Sequence, residues 1–186
     1  MRKIFVFLMT TLDGYHETIA GDLSWHNVDA EFLDFAAAQL DEADTLLFGR
    51  RTYEHMAAFW PTEAAQGGDP AITTRMNGFD KIVVSRTLTE AGWGPVTVIS
   101  DDVVAQLAKI KTQSGKDIAL IGSSDLAASL LGTGVIDEIR IMVNPVALGS
   151  GHPVLAGGDP AKLELLGVRQ FGSGNVLLTY RPSLPG

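Results

Sequence analysis

Three short stretches of this chain place glycine, hydroxyl and guanidinium groups where an apolar run ends. They are Gly49-Arg50-Arg51-Thr52, Ser85-Arg86-Thr87 and Gly122-Ser123-Ser124-Asp125-Leu126. The first follows Leu46-Leu47-Phe48 and opens a helical pattern. Free backbone amides at a helix start, two guanidinium groups and a hydroxyl together make an anion site. Gly49 there allows a sharp turn or a close approach. The second stretch offers a hydroxyl and a guanidinium, suited to a ribose phosphate by bidentate pairing. The third again sets amides at a helix start. Each has a plainer reading as a strand–glycine–helix corner that binds nothing, with its arginines solvated. The G-x-G-x-x-G and P-loop fingerprints are absent.

The elements that must position these corners follow from hydrophobic pattern. Ile4 to Met9 reads as a first strand, buried on both faces. A long loop follows, through Asp13-Gly14-Tyr15 and Gly21-Asp22-Leu23-Ser24-Trp25-His26. Loops of this length in a compact domain are usually functional. Phe32, Leu33, Phe35, Ala36 and Leu40 form the stripe of a helix over about 29–42, with Asp29 as a natural N-cap. Strand 45–48 and helix 51–59 come next, then a short helix near 71–76. Strands 81–85 and 96–100 are followed by a helix capped by Asp101 or Asp102. Strand 117–121 leads into helix 126–131. After Gly134 the texture changes to long strands at 136–144, 163–171 and 176–180, whose short connections imply antiparallel pairing. The expected fold is α/β: three α/β/α layers around a mixed sheet, with a parallel core and antiparallel C-terminal strands. In such a sheet the three corners all lie at the carboxyl ends of strands, where ligands bind. Nothing in the 186 residues marks a linker, so one domain over 1–186 is expected.

Composition narrows the function. A net charge of −8 argues against nucleic acid or an anionic membrane as partner. An acidic chain that holds a phosphorylated ligand must concentrate its few cations, and Arg50, Arg51 and Arg86 are the places to look. There is no cysteine, which excludes disulfides and thiolate chemistry. The N-terminal apolar run is too short for a signal peptide and is followed by Asp13-Gly14, so a cytoplasmic protein is expected. His16, His55 and His152 lack metal-ligand spacing with one another, and no metal is expected. His55 reads as a surface residue. Gly122-Ser123-Ser124-Asp125-Leu126 lacks the second glycine of a serine-hydrolase elbow. Trp25 and His26 are candidate substrate contacts in the long loop, although Trp25 serves equally well as a core anchor.

Taken together in order and spacing, these pieces resemble the dihydrofolate reductase-like superfamily. Within it, the chain is similar to the C-terminal reductase domain of the bifunctional riboflavin-biosynthesis deaminase/reductase and its stand-alone bacterial relatives. The resemblance rests on Thr11-Leu12-Asp13-Gly14-Tyr15, Gly21-Asp22-Leu23-Ser24-Trp25 and the stretch from Thr45 to Glu54. It continues through Lys81 to Arg86, Ile121 to Leu126, Val135 to Arg140 and Asn144 to Gly151. Each is weak singly, and together they cover nearly the whole chain.

The resemblance implies a reductase that uses NADPH on a small pterin-, pyrimidine- or aminouracil-like substrate, of the riboflavin-type 5-amino-6-(5-phosphoribosylamino)uracil reductase or dihydrofolate reductase-like kind. It implies that Gly49, Arg50, Arg51 and Thr52 hold the cofactor phosphates and that Ser85 with Arg86 holds the 2′-phosphate end. Gly122, Ser123, Ser124, Asp125 and Leu126 would hold the pyrophosphate. The loop bearing Asp13 and Gly14 would cover the nicotinamide. Two features depart from dihydrofolate reductases. Ser123 replaces the second glycine of a cis Gly-Gly pair, and the folate-binding carboxylate has no clean counterpart. Asp29 and Glu31 fall nearest to it, so Asp13, Asp29 and Glu31 are the candidate catalytic carboxylates. Dihydrofolate reduction itself is not expected. The alternative is a non-catalytic NADP(H)-binding module for sensing or assembly. Related domains pair through their sheets, which implies a homodimer that covers the edge strands.

Overall fold

A computed structural model describes residues 1–183. Along the chain run β1 (Ile4–Thr11), β2 (Tyr15–Glu17), α1 (Ala30–Asp41), β3 (Ala43–Gly49), α2 (Arg50–Phe59) and α3 (Glu63–Gln66). Then come α4 (Pro70–Gly78), β4 (Asp80–Val84), β5 (Val96–Ile99), α5 (Val103–Lys111), β6 (Asp117–Ile121) and α6 (Ser124–Leu130). The chain continues through β7 (Glu138–Asn144), β8 (His152–Pro153), β9 (Leu163–Gln170) and β10 (Val176–Pro182).

Eight strands form one sheet in the order β5-β4-β3-β6-β1-β7-β10-β9. Pairings from β5 across to β7 are parallel, and β10 runs antiparallel between β7 and β9. Alternation along the strands sends side chains to two separate cores. Phe5, Phe7, Leu46, Phe48 and Val83 meet α1, α2 and α4 through Phe32, Tyr53 and Met76. Ile4, Val6, Leu8, Leu47 and Ile82 meet α5 and α6 through Leu107, Ala127 and Leu130. The result is the expected three-layer α/β/α arrangement with a mixed sheet, parallel in its core and antiparallel at its C-terminal strands.

Local chemistry sets the helix starts. Asp29 caps α1 by accepting from the Phe32 amide at 2.8 Å, and Asp69 caps α4 with Pro70 in the first turn. The expectation for α5 needs correction. Asp102 occupies the cap position with a left-handed φ of 42° and makes no capping bond, while Asp101 accepts from Gln106.

Two pieces were not legible as elements. Helix α3 spans one turn. Strands β2 and β8 pair with each other as a separate ribbon outside the main sheet. With three and two residues, neither strand is long enough to show a periodicity. Their pairing lays the loop after β1 against the loop after β7. Gly151 is required there, because a Cβ at that position would fall 2.4 Å from the Glu17 carbonyl oxygen. The end of the same long loop is pinned to the sheet by buried amides. Asn144 accepts from the Asn27 amide at 2.9 Å, and Asn175 donates to the Asn27 carbonyl at 2.8 Å.

Candidate active site

Because β4, β3 and β6 are parallel neighbours, their carboxyl ends open on one edge, and the three corners lie side by side. Two of them are tied together. The Gly49 amide donates to Ser123 Oγ at 2.8 Å, and the Ser123 amide donates to Thr52 Oγ1 at 3.2 Å. Gly122 makes the crossing possible. Its φ is +78°, and a Cβ there would lie 3.0 Å from the Thr52 methyl group. No peptide among the described residues is cis, so Gly122-Ser123 is trans.

The groups assigned to anion binding are not equivalent. Helix α2 begins at Gly49 with no side-chain cap, which leaves its first amides available. Arg50 is committed to Glu54 one turn on, at 3.0 Å. Arg51 is exposed and has no carboxylate partner among the described residues, and its charge reaches His16. Ser85 is buried and its hydroxyl accepts from the Thr87 and Leu88 amides, closing a turn, while Arg86 is exposed beside it. Ser124 accepts from the Leu155 amide at 2.7 Å and so anchors a neighbouring loop. Asp125 is exposed in the first turn of α6, and Leu126 packs on the second core.

A cavity of about 540 Å³ runs from these corners along α2. At the corner end its wall is Thr52 with Ile121, Gly122 and Ser123. Its remaining wall is largely apolar, with Phe7 and Met9 of β1 and Met56 and Phe59 of α2. The long loop closes it with His16, Glu17, Asp22, Leu23 and His26. His55, expected at the surface, is exposed and stands on the same wall.

His26 is a half-buried polar group in this wall. Its Nε2 is buried and has no hydrogen-bond partner, and burial pushes its pKa down to about 4, although Asp22 pulls the other way. The ring is therefore neutral at pH 7. Trp25 stands behind it rather than in the wall, edge-on at 4.5 Å between ring centres. His16 is also held below its ordinary pKa, first by burial, against the opposing pull of Glu17 and Asp125.

None of the three carboxylates expected from the sequence lines the cavity. Asp13 accepts from the Thr11 hydroxyl at 2.6 Å and from the Gly149 amide at 2.7 Å, which hold its pKa below the ordinary value. It clamps two loops together. Asp29 is the α1 cap, and Glu31 binds Arg169 at 3.0 Å and the Gly172 amide at 2.8 Å. The carboxylates in the wall are Glu17 and Asp22. Glu17 escaped notice because it arrives there through the β2–β8 ribbon, which sequence pattern does not reveal. No group of three or more His, Asp or Glu among the described residues is placed to hold a metal ion.

A family model described as the RibD C-terminal domain matches residues 2–177. The chain belongs to this family. Among curated proteins, this RibD C-terminal domain is 30% identical to the uncharacterized protein YyaP of Bacillus subtilis, over 96% of this chain and 94% of that one. It is 29% identical to the uncharacterized YwjB of the same organism, over 92% and 93%. Solved structures share its fold. A candidate riboflavin biosynthesis protein from Shewanella sp. PV-4 matches with a TM-score of 0.70 at 24% identity, covering 97% of this chain and 99% of that one. The deaminase/5-amino-6-(5-phosphoribosylamino)uracil reductase of Thermotoga maritima gives 0.69 at 16% identity, covering 98% of this chain and 57% of that longer one. Enterococcus faecalis dihydrofolate reductase, solved with NADP(H), gives 0.62 at 15% identity over 97% and 96%. The fold is the one these reductases of the dihydrofolate reductase-like type share. Among the described residues no helix is long and apolar enough to cross a membrane.

Proposed function

We propose that this RibD C-terminal domain is an NADPH-dependent reductase acting on a small pterin-, pyrimidine- or aminouracil-like ring, with residues 1–186 working as one domain. The observation that carries the reading is a single cavity with two chemically different ends. One end meets the first turn of α2 at Thr52, next to Arg51, which has no carboxylate partner among the described residues, and the rest is largely apolar around a neutral imidazole.

The residues fit such a cofactor. The free amides of Arg50, Arg51 and Thr52, with the Arg51 guanidinium, suit phosphate oxygens. The bare Cα of Gly122 lets this corner pack against the Thr52 methyl group, which holds the two amide-bearing corners together. Gly49, Ser123, Ser124, Asp125 and Leu126 shape the same corner, and Ser85 with Arg86 would take the 2′-phosphate end. When bound, NADPH supplies the hydride. The chain supplies orientation and dryness. Phe7, Met9, Met56 and Phe59 exclude water from the reacting ring. His26 offers one directed hydrogen bond to the ring's polar edge. With a pKa of about 4, its imidazolium amounts to roughly one part in a thousand at pH 7. It therefore orients the substrate rather than protonating it.

The outer edge of the sheet supports a homodimer. Strand β9 exposes Leu163, Leu165, Leu166 and Val168, an apolar edge that a second copy would cover.

The test is titration of the protein with NADPH and, separately, NADH, following tryptophan fluorescence. NADPH preference followed by NADPH oxidation with one of the ring substrates is the expected result. Failure to bind either nucleotide would overturn the reductase reading. Binding without turnover on any ring would leave a nucleotide-binding module.

A further inference from the structure

We propose that the cavity selects a ring substrate that carries no phosphate, neutral or cationic, and disfavours phosphorylated versions of the same ring. This deepens the reductase reading and rests on it, because it concerns the substrate end of the same cavity.

The first observation is the charge of the wall. Among the described residues that line it there is no lysine and no arginine, and the residues with full charge are Glu17 and Asp22. Glu17 is held there by the ribbon, its side chain only 15% exposed. Asp22 is fixed by the Ser24 amide and hydroxyl, and these bonds keep it ionised by holding its pKa below the ordinary value. A phosphate monoester brings nearly two negative charges and needs cations or a fan of amides. The cation whose charge reaches this region is Arg51, at the start of α2. That corner is where the dinucleotide phosphates are assigned, so it is not available to a second phosphate. A phosphoribosyl arm on the substrate would instead meet two carboxylates or the apolar wall of Met9, Met56 and Phe59.

The second observation is independent of charge. His26 Nε2 is buried with no partner, and an unpaired polar atom in an apolar wall costs free energy until a ligand satisfies it. His26 lines a cavity otherwise suited to a flat apolar body, and a small turn of its ring would bring this nitrogen to a ligand. One hydrogen-bonding edge and one apolar face describe a heteroaromatic ring, not a sugar phosphate. A substituent on the ring can be a short alkyl or polyol chain, and an amino group would be favoured beside Glu17.

The experiment compares matched pairs on the full chain: 5-amino-6-ribitylaminouracil against its 5′-phosphate, and neopterin against its monophosphate. Binding is read by calorimetry at pH 7.5 and low salt, with and without saturating NADP⁺. At least one unphosphorylated ring is expected to bind about tenfold or more tighter than its phosphate, with the gap narrowing at high salt. Glu17→Gln is expected to narrow the same gap about threefold or more, a readout that a merely structural role would not move. Equal affinity within both pairs, tighter binding of the phosphates, or binding of neither member of either pair overturns the proposal. The reductase reading fails separately, in the nucleotide titration that contains no ring.

Discussion

Replacing His26 with Phe separates what this side chain does for binding from what it costs in folding. Phenylalanine keeps an aromatic ring edge-on to Trp25 and removes the buried, unpartnered nitrogen. At pH 7.5 that removal should raise stability by about 1 kcal/mol, the lower part of the range for an unsatisfied buried polar atom. The pH dependence is the sharper part. His26 has a folded pKa of about 4, below the ordinary 6.5 of an imidazole in the unfolded chain. The unfolded chain therefore binds the extra proton in the window between them, and stability is lost as pH falls from 6.5 to 4. At pH 5 the loss from this one group is about 2 kcal/mol, and above pH 7 it is close to nothing. His26→Phe has no such loss. Its melting-temperature advantage should grow by about 4–8 °C between pH 7.5 and pH 5, given the usual response of a chain this size. Thermal unfolding of both proteins across that range, with urea denaturation at the two end points, measures it. An advantage that stays flat with pH would refute the burial of a neutral imidazole in this wall. At pH 7.5 the same variant should bind the ring substrate about five- to tenfold more weakly, for loss of one hydrogen bond.

Arg51→Ala should weaken NADPH binding about tenfold, while Arg50→Ala costs less because that side chain is already spent on Glu54; fluorescence titration of both variants ranks them. Gly122→Ala forces a residue with a Cβ into φ +78° against the Thr52 methyl group, and should cost about 1–2 kcal/mol of stability by urea unfolding together with weaker nucleotide binding. Asp137→Ala leaves the buried Lys111 ammonium without the carboxylate that now lies 2.6 Å away, and should destabilise by about 3 kcal/mol. Lys111→Met in the same background should recover much of that loss, because the uncompensated charge goes with it.

Much of the frame could be read from residue pattern, since it depends on local periodicity. The strands that became β1, β3, β4 and β6 are apolar runs, and α1 announces itself by its stripe and by Asp29 at its start. The three corners follow from where those strands end. The site itself was less legible. Asp13, Asp29 and Glu31 are carboxylates in plausible places, yet each is engaged by backbone amides or an arginine that sequence distance conceals. Glu17 reaches the wall through a ribbon of five residues joining segments about 135 positions apart. His26 could be named as a contact, but not that Trp25 would stand behind it. That depends on Asn27 being seized by Asn144 and Asn175, a bond pattern with no local signature.

The central place of β1 also bears on how the protein is made. Its two neighbours in the sheet are β6 and β7, which begin at Asp117 and Glu138. On a ribosome adding about 5–20 residues per second, the apolar segment Ile4–Met9 leaves the exit with neither edge paired for roughly 6–22 seconds, until β6 follows. During that interval it is a bare hydrophobic strand, the form most prone to pair with another nascent chain. Only when β7 has emerged can β1 be buried on both sides, and only after β8 can the ribbon deliver Glu17. A chain stalled before Glu138 lacks the ribbon that fixes Glu17 and keeps one edge of its first strand bare, which makes it a natural client for a chaperone.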